Sequence, residues 1–210
     1  MVRDKILHKT RTALGRSPGQ QPEPAPPIRI RMPEMTAEER ISQLLANVGN
    51  LAGKVCRCES IIQARDYVAR TTAQKIAVAS NAPFLEACGI TVLANVQSGV
   101  TDAEKLRALC ATADYGITSA DYALADTGTL VMLSSPSEAR MISLLPPAHI
   151  AVVPRERILS GLDELFSILP QPAELTSSMV LITGPSRTAD IEQILVRGVH
   201  GPGEIHVVVV

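Results

Sequence analysis

The stretch ITGPSRTADIEQILVRGVHGPGEIHV, Ile182 to Val207, reads as the end of one element, a glycine turn, a second element, another glycine turn and the start of a third. Met179 to Thr183 has the apolar run of a buried strand. Ala189 to Arg197 places Ile191, Ile194 and Leu195 on one helical face, and Ile205 to Val210 is a closing strand. A strand that passes through a glycine turn into a helix start is a local geometry that holds anions. On that reading the free N–H groups follow Gly184, the hydroxyls of Ser186 and Thr188 donate, and Arg187 supplies positive charge. The same residues fit a plainer role, with Ser186 or Thr188 as the helix N-cap and Asp190 as a favourable first-turn acid. Beyond the helix, His200 precedes Gly201 in a tight turn. A histidine there titrates near neutral pH and serves as a catalytic acid, base or donor, or simply bonds the last helix carbonyls.

Working outward, short apolar runs alternate with amphipathic ones. Lys54–Cys58, Lys75–Ala79, Thr91–Asn95, Tyr115–Thr118, Thr129–Leu133 and Ile150–Val153 read as strands; Ser60–Thr71, Pro83–Cys88, Glu138–Leu145 and Gly161–Leu169 read as helices. This alternation predicts an α/β fold with a parallel sheet. Thr36-x-x-Glu39 and Thr101-x-x-Glu104 have the capping-box pattern and open two further helices. Residues 1–35 read as a short basic helix followed by an arm with Pro at 18, 22, 24, 26, 27 and 33, a composition that favours extended backbone over packing. The α/β domain is then expected over residues 36–210.

A second site-like segment is Gly116 to Thr129, GITSADYALADTGT, in which acids, threonines and small residues lie between apolar strands. Small residues let a ligand approach the backbone. Asp126 is the preferred carboxylate for base or hydrogen-bonding work, with Thr127, Gly128 and Thr129 as binding residues; an Asx-type turn joining two strands uses the same residues. His149 begins a later strand and ranks below His200, while His206 and His8 read as structural.

Composition narrows the function. With 20 Lys+Arg against 21 Asp+Glu, the chain has no basic excess for nucleic acid or an anionic membrane. Nor does it have a signal-like apolar stretch, so it is expected in the cytoplasm. Aromatics are 2% with no Trp, which removes stacking platforms and leaves an aliphatic core. Cys56 and Cys58 form one C-x-C, and Cys88 and Cys110 stand alone, so no metal site is expected; half of a shared site at Cys56 and Cys58 is the alternative.

Three motifs taken together, GITSADYALADTGTLV, LLPPAHIAVVP and ITGPSRTADIEQILVRGVHGPGEIHVVV, resemble the LUD family and within it the lactate utilisation protein C group. The order and spacing hold from about Asp114 to the C-terminus and loosen between Thr36 and Thr112. The resemblance implies a Rossmann-like layered sheet similar to the NagB/RpiA/CoA transferase-like fold, with a small added β portion and an N-terminal helical arm. It also implies an accessory, non-redox role in oxidising L-lactate to pyruvate, with iron–sulfur clusters held by partner proteins and no cofactor in this chain. That family usually has Glu before Thr-Gly-Thr, where this chain has Asp126. The alternative is an independent enzyme of sugar-phosphate isomerase, CoA-transferase or cyclo-ligase type acting on a small anion, with Asp126 or His200 as its acid or base.

Overall fold

The computed structural model describes residues 2–17, 19–20, 33–189 and 195–210. It divides into two compact units, Met1–Ile30 and Arg31–Val210. The first carries helix α1 (Val2–Ala13); most of the proline-rich arm lies outside the described residues.

The second unit runs in the order α2 (Ala37–Asn50), β1 (Lys54–Arg57), α3 (Ile61–Thr71), β2 (Ala77–Ala79), α4 (Pro83–Ala87), β3 (Val96–Gln97), α5 (Ala103–Thr112), β4 (Tyr115–Ser119), β5 (Tyr122–Leu124) and β6 (Thr129–Leu133). It continues through β7 (Ala148–Val153), β8 (Ile158–Leu159), α6 (Leu162–Ile168), β9 (Met179–Thr183), β10 (Arg187–Ala189), β11 (Leu195–Arg197) and β12 (Glu204–Val209). The main sheet has the order β1-β12-β7-β4-β2-β3, and every pairing in it is parallel. Its two longest strands, the interior neighbours β7 and β12, are almost wholly buried and mostly apolar sequence, AHIAVV and EIHVVV, as a sheet covered on both faces requires.

Side chains alternate along these strands, and so do the layers. Ala151, Val153, Ile205, Val207 and Val209 face α2, through Ile41, Leu44 and Val48, together with Leu130 and Met132 of a second sheet. Ile150, Val152 and Val208 face the other way, onto Ala64 and Val68 of α3 and Leu85 of α4. Each fully buried Leu, Ile or Val side chain contributes about 1.5–3 kcal/mol. The α2 start is the expected capping box, with the Thr36 hydroxyl accepting from the Glu39 N–H and the Glu39 carboxylate accepting from the Thr36 N–H.

Several elements differ from the sequence reading. The added β portion is a four-stranded sheet in the order β8-β5-β6-β9, so Met179–Thr183 pairs antiparallel with β6 and stands outside the main sheet. Ala189–Arg197 does not read as one helix: Arg187–Ala189 and Leu195–Arg197 form an antiparallel hairpin in the register Arg187↔Arg197, with residues 190–194 outside the described set. The helical spacing of Ile191, Ile194 and Leu195 is short, and Gly184 and Gly198, both at positive φ, bracket a chain reversal in which cross-strand pairing overrides it. The second box also shifts by one residue, with Asp102 accepting from Lys105 N–H at 2.8 Å to cap α5. Thr91–Asn95 is a turn leading into β3, and the Glu138–Leu145 helix shrinks to a 3-10 turn at Arg140–Ser143.

Candidate functional site

At the amino end of β12 a cleft of about 520 Å³ opens between β9 and the loop that enters β12. It gathers Gly184, Ser186, Arg187, His200 and Gly201, five of the residues singled out in the sequence, with Thr183, Leu51 and Leu144. Gly184 adopts φ +74°, and a Cβ on it would sit 3.0 Å from Leu51 Cβ, so glycine serves both the turn and the close approach. Ser186 N–H donates to Pro202 O at 2.8 Å and Gly198 N–H to Ser186 O at 3.1 Å, joining the two flanks of the hairpin. The expected helix N-terminus is therefore absent, and the Ser186 amide is already bonded. What remains for an anion is side-chain chemistry. Arg187 is held by donating from Nη2 to Leu51 O, His200 is exposed, and among the described residues no Asp or Glu lines the cleft. A concave surface with a fixed cation and no carboxylate attracts negative charge. Thr188 lies in β10, and Asp190 is outside the described residues.

Asp126 does not line this cleft. It is exposed, and it connects to the cleft by hydroxyls: Thr129 Oγ1 donates to Thr127 Oγ1 at 2.8 Å, and Thr127 Oγ1 donates to Asp126 Oδ1 at 3.1 Å. Because the Thr129 proton is engaged, its 2.8 Å contact with Thr183 Oγ1 has Thr183 as donor. All three protons thus point from the cleft wall towards Asp126. Gly128, at φ +68°, has a different task, since a Cβ there would lie 2.9 Å from Val48 N and 3.0 Å from Asn47 C on the backbone of α2. Asn47 Nδ2 fastens this contact by donating to Ala125 O at 2.8 Å and Asp126 O at 3.0 Å. Asn47→Ala removes two hydrogen bonds, each worth about 0.5–1.5 kcal/mol, and is expected to lower stability by about 1–3 kcal/mol, read as a lower midpoint in urea; an unchanged midpoint would contradict this role.

The opposite end of the sheet carries a second concavity that the sequence reading did not single out. Ser119 at the end of β4 and Asp121 after it, Ala82 after β2, Pro154 and Arg157 after β7, and Glu138 from the loop behind them enclose about 290 Å³. Asp121 is pushed above the usual carboxylate range by burial, although it accepts from Leu133 N–H at 2.6 Å. Glu138 is buried, and burial with the nearby Asp121 charge raises it to about 8, against the lowering effect of its hydrogen bond from Ser80 and of the Ser119 backbone N–H. No local pattern around Glu138 marks it. Its partner Ser80 is 58 positions away, and only strand order brings them together.

The LUD domain profile matches residues 41–210, most of the chain and all of the main sheet. The chain belongs to the LUD domain family. It is 36% identical over 157 residues to lactate utilization protein C of Halalkalibacterium halodurans, covering 71% of this chain and 68% of that one. With lactate utilization protein C 1 of Bacillus mycoides the identity is 29% over 181 residues, 80% of this chain and 77% of the relative. The match to lactate utilization protein C of Bacillus licheniformis is 39% over 102 residues, which spans 42% of that protein. The fold is similar to a crystal structure of a DUF162 family protein from Deinococcus radiodurans, with a TM-score of 0.67 at 20% identity, over 84% of this chain and 99% of that one.

In this LUD domain the four cysteines are free. Cys56 and Cys58 point to one side with their sulfurs 3.5 Å apart, as the C-x-C spacing suggested, and burial pushes Cys58 up to about 12. Among the described residues no three His, Cys, Asp or Glu side chains converge as a metal-binding group, and no helix is long and apolar enough to cross a membrane. His149 is fully buried in β7, bonded through Nε2 to Thr118 Oγ1 at 2.7 Å, and burial lowers it to about 4, so it stays neutral at physiological pH. His206 bonds Tyr67 Oη at 2.8 Å through Nδ1 and Glu204 at 2.6 Å through Nε2, a role within the fold.

Proposed function

We propose that this chain is a non-redox component of a cytoplasmic system that oxidises L-lactate to pyruvate, working beside iron–sulfur partner proteins. Its cleft at Gly184–Arg187 and His200–Pro202 receives an anionic group, either a free small carboxylate or an acidic side chain of a partner. The observation that carries the reading is the match to proteins named lactate utilization protein C over two thirds or more of two such relatives. The cleft supports it through Arg187 and His200 in a lining that holds no acid among the described residues. So does the sulfur chemistry: an iron–sulfur cluster takes four cysteine ligands, whereas Cys56 and Cys58 offer two neighbouring sulfurs and Cys88 and Cys110 are buried. Electrons are then carried by the partners, and this chain positions or completes the assembly.

Growth tests the pathway. A strain lacking only this gene is expected to grow on glucose and fail on L-lactate as sole carbon source; normal growth on L-lactate overturns the proposal. The cleft is tested separately by Arg187→Glu, which reverses the charge at an exposed position. The variant is expected to fold normally, fail to restore growth on L-lactate and lose the iron–sulfur colour that co-purifies with the wild-type chain. Full complementation by Arg187→Glu would remove the cleft from the account.

A further inference from the structure

The pocket at the other end of the sheet has its own chemistry. β2 leads outward to the edge strand β3, whereas β4 leads across the sheet towards β7, so the chain reverses its direction of winding between β2 and β4. In open parallel sheets, ligands bind outside the carboxyl ends of the strands at such a reversal, because the diverging connections leave a crevice. Here the crevice holds Ser119, Asp121, Ser137, Glu138 and Arg157.

Glu138 is the residue that the fold alone does not explain. It is 7% exposed, and the loop that delivers it is well fastened: its amide donates to Ser135 Oγ at 3.0 Å, and Asn81 N–H donates to Ser137 O at 2.8 Å. Ser80 Oγ donates to Oε2 at 2.8 Å and the Ser119 backbone N–H adds a weaker interaction with the carboxyl, while Oε1 is buried with no hydrogen bond of normal geometry. A buried polar atom left unpaired costs about 1–3 kcal/mol, so its retention at a pocket wall points to a partner that is not part of the chain. Arg157 is set at the same pocket, its guanidinium 5.4 Å over the Tyr122 ring and Nη1 donating to Tyr122 Oη at 3.3 Å. A guanidinium of this kind pairs with a carboxylate through its remaining N–H groups.

We propose that this pocket binds a small 2-oxo or 2-hydroxy acid, its carboxylate on Arg157 and its neighbouring oxygen accepting a hydrogen bond from Glu138. Oε2 already accepts from Ser80, so the neutral acid carries its proton on Oε1, and that proton is the donor. Burial keeps Glu138 neutral up to about pH 8, with Asp121 adding to the effect. The other charged groups around it are Glu156 and Arg157 in the pocket and Arg140 behind the Glu138 loop. The ligand class includes lactate and pyruvate and to that extent rests on the proposed function, but the two fail separately. A growth defect on lactate with no ligand in this pocket sinks the pocket alone, and a ligand here without a growth defect sinks the pathway alone.

The test is an amide NMR titration of the full chain with pyruvate, at about pH 6.5 and about pH 9, either side of the Glu138 titration. Saturable shifts are expected at Ser119, Ser137 and Arg157. Affinity should fall about tenfold or more at the higher pH, as the donor is lost and a negative charge appears. Glu138→Gln is nearly isosteric and keeps an N–H donor, so it should fold, bind pyruvate and show no such fall. Arg157→Ala should weaken binding at both pH values, and acetate, which has no second oxygen, should bind weakly without the pH step. Shifts confined to residues 184–187 and 200–202, no saturable binding, or the same pH dependence in Glu138→Gln would each overturn the proposal.

Discussion

Gly116→Ala is expected to cost more than about 3 kcal/mol and to leave little folded protein, above the ~1–3 kcal/mol usual for adding a methylene to a core. Gly116 is the second residue of β4, opposite His149 of β7, and its α-carbon faces the 3-10 turn Arg140–Ser143. A Cβ there would sit 1.8 Å from Ile142 O and 2.9 Å from Ile142 C. Both are backbone atoms, so no side-chain rotation relieves the overlap. Either β4 leaves the centre of the sheet or the turn lifts off it. The turn also separates the two concavities: the segment before it carries Glu138, and Ser143 and Leu144 at its far end line the cleft. Urea denaturation measures the effect, with Gly49→Ala as its contrast. Gly49 lies in α2 with nothing within 4 Å of an added Cβ, so that variant should gain up to about 1 kcal/mol from helix propensity. A Gly116→Ala midpoint within about 1 kcal/mol of wild type would mean that the turn yields freely, contrary to this packing.

The sequence was most legible where pattern and burial coincide. The apolar runs at Ala148–Val153 and Glu204–Val209 became two paired interior strands, and the spacing of Ile41, Leu44 and Val48 became the buried face of α2. Legibility failed where pairing between distant segments decides the outcome. Tyr122–Leu124 and Ile158–Leu159 are too short to carry a period, yet they pair in parallel and form half of the second sheet. The hairpin at Arg187–Arg197 likewise owes its form to pairing across residues that read locally as helix. The cleft residues come together by a route that the local pattern does not show. Gly184, Ser186, Arg187, His200 and Gly201 do meet, but the loop–loop bond from Ser186 to Pro202 brings them together, with no helix end involved. Among the acids, Asp126 stood out because it sits in a loop of small residues, whereas Glu138 gained its unusual state from Ser80 and Asp121, neighbours that no local window contains. His149, which the sequence places at a strand start, is completely buried beside Thr118.

Between about pH 6.5 and pH 8 the protein is expected to lose on the order of 2 kcal/mol of stability, with Glu138→Gln losing none of this part. The sign follows from proton counts. Glu138 ionises near 4.5 when the chain is unfolded and at about 8 when folded. Across that window the folded state holds the extra proton, so raising the pH favours unfolding, and the contribution present below 4.5 is gone above 8. His149 acts in the other direction: unfolded it titrates near 6.5 and folded at about 4, so its contribution is present above 6.5 and is lost as pH falls towards 4. Between about 4.5 and 6.5 the Glu138 and His149 slopes oppose each other, and His206, also lowered by burial, adds to the His149 side. Above 6.5 His149 is neutral in both states, which leaves Glu138 exposed as the cause of the decline. Urea midpoints taken at half-unit pH steps, for wild type and Glu138→Gln, separate the cases. Parallel profiles would show that the Glu138 carboxyl is solvated and charged at neutral pH, and the donor at the switch between β2 and β4 would then be lost with it.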